Sequence, residues 1–331
     1  MQVQGRIVKL DRGFPLVQLP DGTRYRCKHA TALVKGHKVR AVIGDDVVLD
    51  HPDGSDMAQI VQILPRRNEF VRKDPAERAL PQVLAANFDT IIVAHPLAEL
   101  NVRRLERELV LAHETGARVV VALTKADLAE NAEALERSRA LVRSIAADSV
   151  DVLVVSENDA ESIEVLRECV PEGSVAVLIG RSGVGKSSLV NLLAGEDVMA
   201  TTPVREADGK GRHTTVSRAM VQVEGGGLVV DMPGVRGLGL WESERGIAAA
   251  FPDIAHLAAE CRFRDCKHEN EPGCAVLQAV EEGSVPLARL ESYRNLMAEN
   301  NAQRQRREEA ERLRDRTGHP THRAPRTKKR H

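Results

Sequence analysis

The sequence predicts a multidomain protein: a small OB-like β-barrel, then an α/β domain, then a zinc-binding segment with a helical basic tail. Short β-like runs fill the first 64 residues, and apolar runs alternate with helical stretches to about residue 250. A Cys/His cluster and a long charged stretch follow. We therefore place the domains at 1–66, 67–250, 251–300 and 301–331. With 331 residues, 42% of them hydrophobic, the chain can build several cores.

The barrel is predicted from the β-like runs GRIVKL, FPLVQL, VRAVIGDDVVLD and AQIVQIL, with a turn at Asp21 and Gly22. Five short strands are the content of a small barrel of the OB type, and such barrels commonly bind RNA. Only Phe14 and Tyr25 are available here to stack on bases. Any RNA contact in this region would therefore depend on charge.

The second domain begins after a polar, proline-bounded connection, PRRNEFVRKDPAERALPQ. The apolar runs DTIIVAHP, ARVVVALT, VDVLVVS and SVAVLIG then alternate with helical stretches, and two further strands are expected at 216–223 and 228–230. Uninterrupted Val, Ile and Leu runs between helices indicate a parallel sheet that is covered on both faces.

A glycine-rich segment, GRSGVGKSS, follows the last of these apolar runs and opens a helix, which is the context of a phosphate-binding P-loop. Its backbone amides would surround phosphate oxygens, the catalytic Lys186 would reach the β and γ phosphates, and the Ser187 hydroxyl would bind Mg²⁺. The predicted nucleotide-binding residues here are Gly180, Arg181, Ser182, Gly183, Val184, Gly185, Lys186, Ser187 and Ser188. The alternative is a glycine-rich turn that binds no nucleotide.

The segment TKAD lies about 55 residues before the P-loop and ends a predicted strand. The Asp127 carboxylate can accept from both N1–H and the 2-amino group of guanine, a donor pair that adenine lacks, and the Lys125 stem can lie along the ring. TKAD resembles the NKxD motif of GTPases, with Thr124 in place of Asn, and we expect a weakened contact to guanine N7. A solvated helix N-terminus would also explain these four residues.

A second base-contacting position is predicted at Ser156, which follows VDVLVV where the next loop of GTPases contacts the base. Further along the chain, DMPG resembles the DxxG motif of GTPases. Asp231 would hold Mg²⁺ through water, and the Gly234 amide would sense the γ-phosphate. A simple strand-end turn is the alternative reading.

Hydrolysis requires a water molecule to be oriented, and many GTPases use a glutamine that is replaced here by Val235. Slow intrinsic turnover is therefore expected. The loop GKGRHTTVS offers Thr214 or Thr215 as a Mg²⁺ ligand and His213 as a catalytic, water-orienting residue. A polar loop without catalytic function would explain the histidine equally well.

The metal centre is predicted from the spacing C-x₄-C-x-H-x₅-C, formed by Cys261, Cys266, His268 and Cys274. Three thiolates and one imidazole form a closed tetrahedral zinc set with no position left open, so the site is expected to be structural. Its zinc would contribute on the order of 10 kcal/mol to the folding of a segment with few apolar residues. Free thiols near a histidine by chance are the alternative. An odd total of five cysteines argues against a disulfide framework.

Charge is distributed unevenly: the net charge is −1, but residues 301–331 carry 11 Lys and Arg against 4 Asp and Glu. A basic tail predicts a polyanionic partner such as nucleic acid, and Arg262, Arg264 and Lys267 between the zinc ligands would extend the basic surface. The alternatives are a disordered solubilising end and an ordinary solvated face. No apolar stretch resembles a signal peptide or a membrane span, so we expect a cytoplasmic protein without a membrane partner.

The order of these motifs is the permuted one, since ordinary GTPases run from P-loop to NKxD, whereas TKAD comes first here. With the small barrel before it and the Cys/His cluster after it, the chain resembles the RsgA (YjeQ) family of small ribosomal subunit biogenesis GTPases. The motifs that carry the resemblance are GRSGVGKSS, GRHTT, DMPGVRGLGLW and CRFRDCKHENEPGCAV.

The resemblance implies a circularly permuted GTPase that binds GTP and GDP with Mg²⁺, carries one zinc and acts as a monomer. Its partner would be the immature small (30S) ribosomal subunit with its rRNA, which stimulates hydrolysis late in maturation. Two other readings remain: an RNA-binding assembly module whose nucleotide site barely turns over, and an ATP-dependent kinase or ATPase inferred from the P-loop alone.

Overall fold

The computed structural model describes residues 2–11, 14–30, 40–50, 57–73, 81–98, 100–199, 218–232 and 239–316. Five strands form the N-terminal barrel: β1 (Gln2–Asp11), β2 (Phe14–Gln18), β3 (Arg24–His29), β4 (Asp46–Asp50) and β5 (Ala58–Ile63). They pair in the order β1-β2-β3-β5-β4, and β4 also pairs with β1, so the sheet closes on itself. Alternate residues point inward and form its core, as in Ile7, Val17, Leu49 and Ile60. The predicted OB-like barrel is confirmed.

Two details of the barrel differ from the prediction. Strand β3 was not singled out, because its sequence RYRCKH is polar and only Cys27 is fully buried. Strand β4 is shorter than the run VRAVIGDDVVLD, because the chain before it turns at Asp45. That carboxylate is buried and accepts the Val42 N–H at 2.8 Å and the Arg66 guanidinium at 2.7 Å.

The predicted polar connection contains a β-hairpin of β6 (Glu69–Lys73) and β7 (Pro81–Ala86). In the sequence, the charged residues of the hairpin mask its buried side. On that side, Phe70, Leu84 and Ala85 pack into the main core. Ile43, just before β4, forms an isolated parallel bridge with Ala85. The hairpin therefore lies between the barrel and the second domain as an ordered element.

The α/β domain has six strands and four helices in the described residues. The strands are β8 (Thr90–Pro96), β9 (Arg118–Thr124), β10 (Asp151–Val154), β11 (Val175–Ile179), β12 (Arg218–Gln222) and β13 (Leu228–Asp231). The helices are α1 (Val102–Glu114), α2 (Ala132–Ile145), α3 (Ala160–Glu168) and α4 (Lys186–Ala194), with a 3₁₀ turn at Ala126–Leu128. The order across the sheet is β10-β9-β8-β11-β13-β12, and only the edge strand β12 runs antiparallel to its neighbour.

Apolar cores lie on both faces of this sheet, as the uninterrupted Val and Ile runs predicted. Ile91 and Val93 face α1, whereas Ile92 and Ala94 belong to the core that contains Leu189 of α4. The edge strand β12 also pairs with β1, at Lys9↔Ala219 and Leu10↔Arg218. Barrel and α/β sheet are therefore joined into one 11-stranded sheet.

The C-terminal part is helical: α5 (Glu244–Ala250), α6 (Pro252–Ala259), α7 (Ala275–Glu281) and α8 (Leu287–Arg316). Helix α5 approaches α1 so closely that a Cβ on Gly246 would lie 2.2 Å from the Val110 carbonyl oxygen. Helix α8 continues past residue 300, where the tail was expected to begin, since its Gln, Arg, Glu and Ala residues favour helix. In the part of the chain that the structure describes, no helix has the length and apolarity needed to cross a membrane.

Candidate nucleotide site and metal centre

The predicted nucleotide motifs lie at the carboxyl ends of neighbouring strands. Thr124 ends β9, Asp231 ends β13, and Gly180 follows β11 directly. Ser156 comes two residues after β10. Because these strands run parallel in one sheet, their carboxyl ends share one edge, where open α/β sheets bind ligands.

The P-loop leaves β11 through backbone conformations that favour glycine. Gly180, Gly183 and Gly185 have φ values of 145°, 84° and 97°. At Gly180 the neighbouring strand is also close, since a Cβ there would lie 2.4 Å from the Ala94 carbonyl oxygen. Glycine is therefore required at Gly180 by both backbone conformation and the space beside β8.

Lys186 begins α4 and is only 6% exposed. Its Nζ donates to the carbonyl oxygens of Gly180 at 3.1 Å and Arg181 at 3.0 Å, so it spans the loop. Burial lowers the pKa of the Lys186 ammonium, and the negative charges of Asp231 and Glu108 partly oppose that effect. The lysine is thus held inside the loop as a compact positive charge.

The TKAD segment is in direct contact with the P-loop, although the two are far apart in sequence. The Thr124 hydroxyl, 3% exposed, donates to the Val184 carbonyl oxygen at 2.7 Å. The Lys125 Nζ donates to the Gly183 carbonyl oxygen at 3.0 Å, from a left-handed backbone with φ 59°. Because the single Thr124 hydroxyl proton faces the Val184 carbonyl, this hydrogen bond braces the P-loop against the end of β9.

The remaining base-reading candidates occupy the adjacent surface. Asp127 lies in the 3₁₀ turn after β9 and is exposed, as an acceptor for a ligand must be. The Ser156 hydroxyl accepts the Asn158 N–H at 3.2 Å, and the Ser156 N–H donates to Ser162 Oγ at 3.2 Å. These two hydrogen bonds hold the loop after β10 in a tight turn beside β9, the strand that precedes the 3₁₀ turn.

Asp231 provides an oxygen suited to Mg²⁺. Its Oδ1 is buried and has no hydrogen-bond partner within the residues that the structure describes. Burial raises the pKa of this carboxyl group, and the Lys186 charge acts in the opposite direction. A buried carboxylate oxygen without a donor among the described residues, together with the Ser187 hydroxyl at the start of α4, fits a hard, oxygen-seeking cation. The predicted partners Gly234, His213, Thr214 and Thr215 lie outside the described residues.

The four predicted zinc ligands converge, with all ligand atoms within 4.8 Å of one another. Cys261 Sγ lies 3.8 Å from Cys274 Sγ, and His268 Nδ1 lies 3.4 Å from Cys274 Sγ and 3.6 Å from Cys261 Sγ. Zinc bonds of about 2.3 Å to sulfur and about 2.0 Å to nitrogen give tetrahedral edges of about 3.8 Å and about 3.5 Å. The Cys₃His cluster therefore fits a structural zinc ion that is bound through His268 Nδ1.

The basic residues between the zinc ligands point to solvent. Arg262, Arg264 and Lys267 are all exposed, and Arg262 stacks over the Phe263 ring at 5.6 Å. Their exposure leaves the guanidinium and ammonium groups free to meet an anionic surface, as the sequence suggested.

Sequence reasoning missed a buried polar cluster beside the P-loop. His95 is the penultimate residue of β8 and is 2% exposed, and its Nδ1 lies 3.2 Å from Oε2 of the fully buried Glu108 on α1. The other Glu108 oxygen accepts from Arg104 Nε at 3.0 Å. A signal was available, because Glu108 interrupts the apolar face LERELVL of an otherwise amphipathic helix.

Comparison with known proteins agrees with this geometry. The RsgA GTPase family model matches residues 63–241. The small ribosomal subunit biogenesis GTPase RsgA of Streptomyces avermitilis is 47% identical over 300 residues, 89% of this chain and 79% of that protein. The protein of the same name from Methanosarcina acetivorans is 42% identical over 78% of this chain and 69% of that one.

Two solved structures share the fold. YjeQ from Thermotoga maritima superposes with a TM-score of 0.68 at 26% identity, covering 90% of this chain and 98% of that one. YloQ, described as a circularly permuted GTPase, gives 0.66 at 25% identity, covering 91% and 96%. The permuted motif order, the P-loop braced by TKAD and the family match over more than half of the chain together establish that this protein belongs to the RsgA GTPase family.

Proposed function

We propose that this protein is a GTPase that binds the small (30S) ribosomal subunit and acts late in its maturation, hydrolysing GTP to GDP and phosphate. The observation that carries the proposal is the contact of Thr124 and Lys125 with the P-loop carbonyls of Val184 and Gly183. A base reader after β9 and a phosphate cradle after β11, at the same edge of one parallel sheet, can hold a single guanine nucleotide. Relatives named for small-subunit biogenesis support the cellular role.

We assign the residues as follows. Asp127 reads guanine, Lys125 lies along the ring and Ser156 lines the base pocket. The amides of 180–188 surround the phosphates, and Lys186 neutralises charge that develops on the transferred group. Ser187, Asp231 and Thr214 or Thr215 hold Mg²⁺, which when bound neutralises the β and γ oxygens. Gly234 senses the γ-phosphate.

Slow intrinsic turnover follows from Val235, which has no group to orient water. We assign that task to His213 or to the ribosomal partner, and rRNA contact to Arg262, Arg264 and Lys267 with the basic tail. The protein would act in the cytoplasm as a monomer, without a membrane partner, where small subunits are assembled.

The test is a titration of GTPase rate against purified small and large ribosomal subunits. We expect the rate to rise with the small subunit and to stay flat with the large one. A flat rate with both would favour the alternative, an RNA-binding module whose nucleotide site barely turns over.

Nucleotide identity is tested separately with Asp127→Asn. Losing the carboxylate removes the acceptor for two guanine donors, so we expect the preference for GTP over ATP to disappear. An unchanged GTP-to-ATP ratio would favour an ATP-dependent enzyme instead.

A further inference from the structure

The carboxyl end of β8 lies between β9 and the nucleotide loop. The ladder between β8 and β11 stops at Val93↔Ile179, so Ala94 and His95 lie beyond it, opposite the P-loop, and are paired with β9 alone. Both lie at the site: the Ala94 carbonyl limits the space at Gly180, and the His95 carbonyl oxygen is 3.4 Å from the Thr124 hydroxyl oxygen, whose proton faces Val184.

The His95 ring is fixed on both sides. Its Nε2 accepts the Asn101 N–H at 3.2 Å, and because a backbone N–H can only donate, this bond assigns the ring hydrogen to Nδ1. Nδ1 then donates to Glu108 Oε2 at 3.2 Å. Asn101 is also the N-cap of α1, so the start of that helix and the end of β8 are joined through one imidazole.

Glu108 is linked to the phosphate loop through the paired backbones of β8 and β9. Arg104 donates to Glu108, and Glu108 orients His95. The β8 backbone at His95 and Pro96 pairs with β9 at Leu123 and Thr124, and the Thr124 hydroxyl donates to the Val184 carbonyl of the P-loop. A fully buried carboxylate is costly, and both of its oxygens are hydrogen-bonded here, one to Arg104 and one to His95. Its negative charge also favours the protonated form of Lys186.

We propose that Glu108 is a positioning residue for nucleotide binding: it holds His95, and through the pairing of β8 with β9 it holds Thr124 and the P-loop in the geometry that receives phosphate. This inference rests on the proposed function, since it assumes that a guanine nucleotide occupies the site. It concerns binding of GDP and GTP alike, because the loop surrounds phosphates that both nucleotides share.

The experiment measures GDP and ADP binding by calorimetry for wild type and Glu108→Ala, with Glu106→Ala as a matched control. Glu106 lies on the same helix at 1% exposure, but its partner is Arg289 on α8, away from the P-loop. We expect Glu108→Ala to weaken GDP binding at least 10-fold and Glu106→Ala to change it less than 2-fold. All titrations are run below the unfolding midpoint of every variant.

Two further variants keep the test decisive. Glu108→Met replaces the carboxylate with an apolar side chain of similar volume, in case the alanine variant does not fold, and the same loss is expected. Glu108→Gln combined with Arg104→Met keeps an amide oxygen that can accept from His95 Nδ1–H. The Arg104 change removes the guanidinium, a donor that would otherwise face the donor N–H₂ group of the glutamine. This double variant should recover GDP affinity to within 3-fold of wild type.

The outcomes separate two failures. If wild-type protein shows no preference for GDP over ADP, the proposed function is wrong. If wild type prefers GDP but Glu108→Ala or Glu108→Met binds it as well as Glu106→Ala, or the double variant shows no recovery, the positioning role is wrong while the proposed function stands.

Discussion

Thr124 occupies the point where the base-reading segment meets the phosphate loop. The NKxD motif has an asparagine here, but the threonine hydroxyl donates to Val184 in the P-loop and is withdrawn from solvent. A short side chain with one donor suits this brace because the carbonyl lies only 2.7 Å away. The weakened contact to guanine N7 stays a prediction. The hydrogen bond to Val184 is a second role that favours threonine at this position.

Removing this hydroxyl tests the brace. Thr124→Val has nearly the same shape but leaves the buried Val184 carbonyl without its donor, which costs about 1 to 2 kcal/mol. We expect GDP binding to weaken roughly 5- to 30-fold, the equivalent of that energy. Thr124→Ser keeps the donor and should bind within 2-fold of wild type; equal affinities for Val and Ser would contradict the brace.

At the level of elements, the zinc-binding segment depends on its metal more than on apolar burial. Between α6 and α7 the chain is irregular, and Cys274 both belongs to the ligand set and caps α7, where its Sγ accepts the Leu277 N–H. His268 has a left-handed backbone with φ 58°, an uncommon conformation for a residue that carries a Cβ. The cluster fixes this geometry, and Cys274 and Val276 then join the main core.

Loss of one ligand should release the zinc and loosen this segment. Cys266→Ser replaces a thiolate with a poor zinc ligand, so we expect less than one zinc per chain and a lower thermal midpoint. Zinc is measured by atomic emission and unfolding by circular dichroism. Cys169→Ser is the matched control, because that buried thiol lies outside the cluster and its variant should keep one zinc.

At the level of the whole molecule, α8 ties the nucleotide domain to the segment that follows DMPG. Glu299 accepts two hydrogen bonds from Arg107 of α1, at 2.8 and 2.6 Å, and one from the Leu240 N–H at 3.2 Å. The next residue, Asn300, accepts the buried Ser243 N–H at 2.9 Å. The helix that leads into the basic tail therefore contacts the chain just beyond the predicted γ-phosphate sensor.

Glu299→Gln should destabilise the protein at neutral pH by about 1 to 2 kcal/mol. The reason is that the amide cannot accept both hydrogen bonds that the Arg107 guanidinium donates to the half-buried carboxylate. Burial would raise the pKa of Glu299, but Arg107 and the Leu240 N–H outweigh it and hold that pKa below 4.5. A carboxyl group whose pKa is lowered in the folded protein stabilises the fold at pH values above its ordinary pKa. This stabilisation is lost as the pH falls through the pKa of the folded state. The difference between wild type and Glu299→Gln should therefore shrink below pH 4.5.

Urea unfolding at several pH values measures this difference. Glu291→Gln is the control, because the Arg103–Glu291 pair is largely exposed and should contribute less than about 0.5 kcal/mol. If both variants lose the same free energy, the junction is no stronger than a surface ion pair.

The sequence by itself determined the features that short stretches of chain encode. The P-loop, the Cys₃His spacing and the alternation of apolar runs with helices were all readable, because glycine conformation, ligand spacing and strand burial are local requirements. The permuted order of motifs was readable too, since order along a chain needs no structure. The family and the fold class followed from these features.

Only the tertiary structure decided which distant residues meet. The Thr124–Val184 bond, the Glu108–His95 cluster and the pairing of β12 with β1 join positions that no local pattern links. The hairpin of β6 and β7 was hidden because its charged outer residues mask four buried ones. Such contacts depend on the order of strands in the sheet and on helix packing, and these emerge from the summed burial of the whole chain.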